Sequence, residues 1–288
     1  MRTKDRPMFL ERALGDIARQ SFGDWLAVIV NDGGDSAPVD RAVAALAPEH
    51  RARVAVIHST DGLGRSAAAN TGIRTLSTEF VVLHDDDDLW APSFLADSVA
   101  WLDASPQDAG VVSRTEIVYE RVEGGRIIET GREPFWGAMS RITYADMLQV
   151  NHFVPIAYVY RRAMHDEVGL YREDLHAAED WEFNLRVLRR HPIGYLSERV
   201  GAYWMQRRGQ EGILGNSMFV LADEHDRYDR MIRDEALRAF AETHGDGLLL
   251  YLSRYLQDEI DRQLSARKTL GQRATDVARR GWRRLRGR

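Results

Sequence analysis

The chain has 288 residues, which is enough for one large domain or two small ones with a sizeable core. Its hydrophobic content of 44% and charged content of 29% are typical of a globular protein, and its net charge of −5 argues against a nucleic-acid partner. Cysteine is absent, which excludes disulfides and thiolate metal sites. The N-terminus carries no apolar signal segment, and no run reaches the roughly 18 apolar residues of a membrane span, so we expect a cytoplasmic protein.

The first 110 residues alternate between strand and helix patterns. Helices are predicted at 9–18, 39–46 and 66–76, and strands at 25–30, 54–57 and 80–83. This alternation predicts an α/β fold with a mainly parallel sheet flanked by helices on both faces. Ligands of such sheets bind beyond the carboxyl ends of the strands. Two polar clusters, Asn31-Asp32 and the run from Asp85 to Asp88, follow strands in this way.

The second half is less regular. A hairpin is predicted around Gly124-Gly125, and further helices and short strands follow up to residue 205. From about residue 223 the pattern is helical. We therefore predict a main domain at 1–215, with halves at 1–110 and 111–215, then a helical extension at 216–266 and a basic tail at 267–288.

Four consecutive aspartates, Asp85 to Asp88, follow the predicted strand at 80–83. Unpaired carboxylates this close repel one another, and a bound divalent cation removes the conflict. Oxygen ligands suit Mg²⁺ or Mn²⁺, and Mg²⁺ commonly combines one or two carboxylates with substrate phosphates. The alternative is a solvated acidic turn that caps the next helix. The strand that runs directly into the cluster favours the metal site.

The basic tail holds nine Lys or Arg residues and one acid between Arg267 and Arg288. Such a segment can lie on an anionic membrane, with Trp282 and Leu285 in the interface. The alternative is a solvated end of the chain. Peripheral contact with the inner face of the membrane is therefore one of two open interpretations.

Five segments in chain order together resemble glycosyltransferase family 2, which has the GT-A (Rossmann-like) fold. The resemblance covers about residues 2–210. The segments resemble the family's nucleotide-contacting loop, acidic uracil-binding turn, Gly-Xaa-Ser-Ala-Ala helix start, DXD motif and Glu-Asp catalytic motif. In the same order they are Arg2-Thr3-Lys4-Asp5-Arg6-Pro7, Val30-Asn31-Asp32-Gly33-Gly34, the run 64–72, Asp85-Asp86-Asp87-Asp88-Leu89-Trp90 and Glu179-Asp180-Trp181-Glu182.

The resemblance implies binding roles for several of these residues. Thr3, Asp5, Asp32 and Arg65 would contact the nucleotide; a turn aspartate and a solvated helix-start cation are the alternatives for Asp32 and Arg65. Arg207 and Arg208 could neutralise the diphosphate or form an exposed basic loop.

The DXD resemblance implies a metal site. Asp87, with Asp85, would hold Mn²⁺ or Mg²⁺, and Asp85 would also contact the ribose. An alternative frame moves these roles to Asp86 and Asp88, and the sequence leaves both frames open. In either frame Asp86 is a candidate binding residue.

The Glu-Asp resemblance implies that Asp180 is the general base. Its neighbour Glu179 would raise the pKa of Asp180 by like-charge repulsion. The alternative is that both acids merely cap a helix. Nearby candidates for stacking on sugar rings are Trp136, Trp181 and Trp204, although core packing is the usual role of tryptophan.

Two departures from the family pattern stand out. The family has an apolar strand before the position of Arg2, and the sequence here starts after it; a misplaced start, a trimmed end and a sheet without that strand are the alternatives. Tyr203 to Arg208 stands where many members carry a His or a Gln-Xaa-Xaa-Arg-Trp element. Because processive synthases carry the latter, a non-processive enzyme is favoured.

These observations predict an inverting, metal-dependent glycosyltransferase. Its donor would be a UDP-, GDP- or dTDP-sugar, and its acceptor a glycan or a lipid-linked sugar in surface polysaccharide synthesis. Two alternatives are a nucleotidyltransferase on a related α/β fold and a non-catalytic module that binds nucleotide sugars. The first would usually carry a Gly-rich loop with a basic residue near the N-terminus, and we find none.

Overall fold

The computed structural model describes residues 1–210, 212–215 and 222–267. Its first half confirms the predicted alternation of strands and helices. The elements in chain order are β1 (Arg2–Thr3), α1 (Pro7–Ala18), β2 (Ala27–Asp32), α2 (Ser36–Ala44), α3 (Pro48–Arg51), β3 (Val54–Ser59), α4 (Arg65–Thr75), β4 (Phe80–Val82), β5 (Leu89–Trp90) and α5 (Phe94–Ala104).

Helix α1 shows how local sequence determines these elements. Pro7 occupies the first turn, where its missing N–H costs nothing. Phe9, Leu10, Ala13 and Leu14 then recur at helical spacing, and all four are buried. Leu10 and Leu14 belong to a core cluster that also contains residues of β2 and α2. The apolar stripe of α1 therefore covers one face of the first sheet.

The second half begins with a long hairpin. Its strands are joined at Gly124 and Gly125, which have φ angles of 56° and 74° that glycine adopts without steric cost. Two of the short strands predicted up to residue 205, at 193–196 and 200–205, form one strand with register shifts. The elements are β6 (Gly110–Glu123), β7 (Arg126–Pro134), α6 (Tyr144–Gln149), β8 (Tyr158–Arg161), α7 (Met164–Val168), α8 (Glu179–Leu188) and β9 (Ile193–Gln206).

The strands form two sheets within the described residues. The first has the order β1-β2-β3 and is fully parallel. The second has the order β4-β8-β6-β9-β5, with β7 added on β6; there only β6 and β9 are parallel. The prediction of a mainly parallel sheet thus applies to the first sheet and not to the second. The hairpin accounts for the β6–β7 pair, because two strands joined by a tight turn must run antiparallel. The pairs β4–β8, β8–β6 and β9–β5 are antiparallel without such a turn.

The two sheets approach each other through strand β1, which is only two residues long. Arg2 pairs with Val30 of β2 and forms an isolated parallel bridge to Asp85, just after β4. Below this contact, β2 and β4 are separated by a cavity of about 540 Å³, lined largely by apolar side chains. The run Phe80–Val82 is consequently half-buried, whereas its unbroken apolar sequence predicts a strand covered on both faces.

Two helices follow the main fold, α9 (Ala222–His244) and α10 (Gly247–Arg267). A first compact unit covers residues 1–230, and a second begins at Met231. The predicted helical extension therefore contains helices, while the predicted boundaries stay predictions. The basic tail beyond residue 267 lies outside the described residues. None of the helices described here is long and apolar enough to cross a membrane.

Candidate active site

The predicted site residues converge on one cavity of about 750 Å³. The cavity lies at the carboxyl ends of β1, β2 and β4 and at the start of α8, as the strand order requires. Eight of the predicted residues line it: Thr3, Asp5, Asp32, Arg65, Asp85, Asp87, Glu179 and Asp180. Asp86 is the exception among the nine residues predicted to have catalytic, nucleotide-binding or metal-binding roles, since it is fully buried.

Arg2 links the acidic cluster to the Glu-Asp pair. Its guanidinium donates to Asp85 Oδ1 at 2.6 and 2.8 Å and to Glu179 Oε1 at 3.0 Å. Arg65 approaches the same two carboxylates at 3.6 and 3.5 Å. Burial raises the pKa of Asp85, but Arg2 and Arg65 outweigh it and hold that pKa well below its usual range. The ionised form of Asp85 is therefore stabilised.

Asp86 is held from behind the cavity. Thr3 Oγ1 donates to Asp86 Oδ2 at 2.7 Å, and Arg6 donates to both carboxylate oxygens. Burial raises the pKa of Asp86 to about 7, against the opposing attraction of Arg6. Thr3 and Arg6 therefore anchor this aspartate within the protein.

Asp87 takes part in a buried network of charges that the sequence did not predict. Arg207 donates to Asp87 and, at 2.6 Å, to Glu120, and it lies 4.2 Å from the ring centre of Phe9. Arg12 donates to Glu120 at 2.6 Å. Arg207 is fully buried, so the expected alternative of an exposed basic loop is wrong for this residue.

Asp88 is tied to the backbone of β9. Its Oδ1 accepts from the Met205 N–H at 2.9 Å. Burial, followed by repulsion from Asp87, raises the pKa of Asp88 well above its usual range. Asp88 thus fastens the end of the acidic cluster to the second sheet.

The Glu-Asp pair begins helix α8, and its environment shifts the pKa values of the two acids in opposite directions. Burial raises the pKa of Glu179, but Arg65 and Arg2 outweigh it and the net shift is downward. The pKa of Asp180 rises to about 6, mainly because of burial and then because of the charge on Glu179. Asn151 Nδ2 donates to Asp180 Oδ2 at 2.8 Å and orients it. Asp180 can therefore gain and lose a proton near neutral pH.

The backbone before α8 fixes the position of the Glu-Asp pair. Ala178 has a φ of 61°, in the left-handed region that costs a non-glycine residue free energy. Helix α4 holds the preceding segment, because Ser66 Oγ donates to the Leu175 carbonyl and Asn70 exchanges two hydrogen bonds with the Tyr171 backbone. The Ser and Asn of the 64–72 segment thus position the approach to the Glu-Asp pair.

The predicted nucleotide-contacting residues also shape the entrance to the cavity. Asp32 accepts from the N–H groups of Leu63 and Gly64, and Asp5 Oδ1 accepts from the Asp35 N–H at 2.9 Å. Asp5 has a φ of 53°, which fixes a sharp turn after β1. These loops follow β1, β2 and β3, and their contacts bring the three strand ends together.

The sequence of the chain matches a known family. Residues 1–169 match Glycosyl transferase family 2. The chain belongs to this family.

Similar proteins agree with the family. YwdF of Bacillus subtilis strain 168, an uncharacterised glycosyltransferase, is 32% identical over 194 residues, which cover 66% of this chain and 67% of YwdF. The succinoglycan biosynthesis protein ExoW of Rhizobium meliloti is 34% identical over 91 residues, covering 31% of this chain and 28% of ExoW. The match to ExoW thus spans less than a third of that relative.

Solved structures show the same fold. TarS residues 1–349 of S. aureus, in complex with UDP-GlcNAc, match with a TM-score of 0.59 at 18% identity, covering 86% of this chain and 74% of that one. The mannosyltransferase PcManGT of Pyrobaculum calidifontis, in complex with GDP-Man and Mn²⁺, matches with a TM-score of 0.54 at 16% identity, covering 98% and 78%. The GT-A fold and the assignment as a transferase enzyme, both predicted from sequence, are confirmed.

The family 2 resemblance implies a divalent cation. The acidic cluster fits a cation that is bound by one or two carboxylates together with substrate phosphates. Among the residues described, no group of three or more His, Asp or Glu side chains is arranged as a metal cage. Asp85 and Asp87 nevertheless line the cavity with oxygen donors, which suit Mg²⁺ or Mn²⁺. One or two carboxylates with substrate phosphates are a common Mg²⁺ site. The cluster therefore fits a cation that the substrate helps to hold.

The aromatic candidates have different environments. Trp181 is buried and donates to the Met147 carbonyl at 2.7 Å, so core packing describes it. Trp204 lines the cavity, and Trp136 is exposed and stacks on His152 with ring centres 4.3 Å apart. Trp204 therefore lies on the cavity itself, and Trp136 lies beside it, next to the cavity residue Phe135.

Proposed function

We propose that this family 2 enzyme transfers a sugar from a nucleotide-sugar donor to a hydroxyl group, with inversion at the anomeric carbon. The observation that carries the proposal is the pairing of Asp180, whose pKa is raised to about 6, with an acidic cluster on the same cavity. One feature supplies a base and the other supplies a place for the donor diphosphate. The UDP-GlcNAc and GDP-Man complexes of the structural neighbours support this class of donor.

Asp180 acts as the base in this proposal. Its carboxylate takes the proton of the acceptor hydroxyl while the new C–O bond forms on the face opposite the departing diphosphate. The bond from the anomeric carbon to the diphosphate oxygen breaks, and its electron pair leaves with the nucleoside diphosphate. Asn151 orients the carboxylate, and Arg2 and Arg65 keep Glu179 ionised, so that it places a negative charge beside Asp180.

The donor is held by the residues at the strand ends. We assign Thr3, Asp5, Asp32 and Arg65 to the nucleotide, as the resemblance implies. We assign the metal frame to Asp85 and Asp87, because both line the cavity while Asp86 is buried behind them. When bound there, Mn²⁺ or Mg²⁺ supplies positive charge that stabilises the diphosphate leaving group.

The acceptor in this proposal is a glycan or a lipid-linked sugar of a surface polysaccharide. The relative ExoW, named for succinoglycan biosynthesis, supports this class. We also propose a cytoplasmic enzyme that touches the membrane through the basic tail. The composition of the tail supports this, as do the exposed apolar side chains of α10, namely Leu248, Leu250, Tyr251, Leu252, Tyr255, Leu256, Ile260 and Leu264.

The direct test is release of nucleoside diphosphate from a panel of UDP-, GDP- and dTDP-sugars, with Asp180→Asn as the matched variant. The variant should bind the donor as the wild type does, because it keeps the shape of the side chain. Transfer should fall roughly 10²–10⁴-fold or more, because the base is lost. Near-normal turnover of the variant would show that Asp180 only caps α8.

A further inference from the structure

Four aromatic rings form a continuous row beside the cavity, which we call the aromatic row: Trp204, Phe135, Trp136 and His152. The ring centres of Phe135 lie 5.2 Å from Trp204 and 6.1 Å from Trp136. Trp136 stacks on His152 at 4.3 Å, with an interplanar angle of 18°. Three separate segments, the end of β7, the loop after α6 and strand β9, supply these rings.

The aromatic row leads to the base. His152 directly follows Asn151, whose amide donates to Asp180. Phe135, Asn151 and Trp204 line the same cavity as Asp180. A ligand lying against the row can therefore reach the carboxylate that accepts the proton.

The backbone of Trp136 has a conformation that is unfavourable for a bulky residue. Its φ is 49°, which is a rare conformation for a bulky residue, and 41% of its surface is exposed. Strained residues of this kind concentrate at ligand-binding and active sites. Core packing does not account for an exposed ring, so the strain points to a ligand.

Polar groups without partners lie next to the row. Gln206 is only 3% exposed, yet neither its Nε2 nor its Oε1 has a hydrogen-bond partner among the described residues. Asn151 Oδ1 is also buried and unpaired there. Gln206 lines the cavity and lies two residues from Trp204 on β9, so both side chains project from the same face of the strand. Buried amides are normally paired, so these two are suited to a polar ligand.

We propose that the aromatic row, with Gln206 and Asn151, is the binding site for a sugar ring of the acceptor. A sugar ring has an apolar face of C–H groups and an edge of hydroxyl groups. The apolar face would lie on Trp136 and Trp204, and hydroxyl groups would meet the amides of Gln206 and Asn151. The acceptor is then a carbohydrate whose reactive hydroxyl lies at Asp180. This inference rests on the proposed function and adds to it the residues that bind the acceptor sugar.

The test combines binding and kinetics on the full chain. Saturation-transfer NMR would be recorded with cellotriose, mannotriose and galactotriose as saccharide probes and with farnesyl diphosphate as a sugar-free lipid probe. The variants are Trp136→Ala, Trp136→Phe, Gln206→Ala and the control Trp25→Ala, a tryptophan near His50, outside the cavity. Affinity for UDP and GDP is measured in parallel by thermal shift.

In the NMR experiment we expect saturation to pass from the protein to the ring protons of at least one saccharide, both with the wild type and with Trp25→Ala. Trp136→Ala should lose that signal and raise the acceptor KM about tenfold, and Trp136→Phe should restore most of it. Gln206→Ala should raise the same KM, with nucleotide affinity within twofold of wild type in every variant. A KM effect without a change in nucleotide affinity separates acceptor binding from a general structural defect.

Three results would overturn the proposal. They are the absence of saccharide binding by the wild type, an unchanged acceptor KM in Trp136→Ala, and binding of farnesyl diphosphate alone. A parallel loss of nucleotide affinity in Gln206→Ala would assign the subsite to the donor and overturn it as well. Failure of the wild type to bind any nucleotide would instead contradict the proposed function, independently of the saccharide signal.

Discussion

Substitutions around Asp180 should move the pH dependence of transfer in opposite directions. Asp180 must be ionised to accept a proton, and its pKa is about 6. The rate of a reaction that needs this base should therefore be level above pH 7 and fall to about a tenth of that level at pH 5. The decrease toward acid pH should follow the titration of one group.

Asn151→Ala removes a hydrogen bond that stabilises the ionised carboxylate. A hydrogen bond to a charged group contributes about 1.5 kcal/mol, which corresponds to about one pKa unit. The midpoint of the acid limb should therefore rise to about pH 7. Glu179→Gln removes the neighbouring negative charge and leaves the positive charge of Arg65, so the midpoint of this variant should fall below pH 6.

The assay is the initial rate of nucleoside diphosphate release in the presence of acceptor, from pH 4.5 to 8.5. Donor affinity is measured over the same range, because Asp86, with a pKa of about 7, titrates there as well. The difference between the two curves isolates the chemical step. If the midpoint is the same in wild type, Asn151→Ala and Glu179→Gln, Asp180 is not the titrating base.

Other consequences of the structure can be measured separately. UDP or GDP should bind much more tightly with Mn²⁺ than in EDTA, and Asp87→Ala should remove that difference; equal affinities in wild type would contradict the metal site. Arg207→Met should lower the free energy of unfolding by about 3 kcal/mol in urea titrations, because the buried carboxylates of Asp87 and Glu120 each lose one partner. Adding Glu120→Gln should recover part of this loss. Truncation after Leu264 should weaken binding to anionic liposomes at low salt and leave transfer to a soluble acceptor intact; equally poor sedimentation of both forms would contradict a membrane role.

Residues close together in the chain determined the local elements of this protein by themselves. The Gly124-Gly125 turn, the stripe of α1 and the strands that lead to Asp32 and Asp85 all follow from short stretches of sequence. Because parallel strands end at a common edge, the motifs at their ends could be expected to meet. The cavity lined by Thr3, Asp32, Asp85, Asp87 and Asp180 is that meeting point.

Tertiary structure alone decided which charges face each other. Arg2 and Glu179 are 177 residues apart, and Arg207 and Asp87 are 120 residues apart. No periodicity encodes such pairs, because their approach depends on how whole sheets pack. The same packing buries Asp86 and Asp88 and raises their pKa values, while Arg2 lowers that of Asp85. Four identical side chains in a row therefore acquire different chemistry from partners that the sequence places far away.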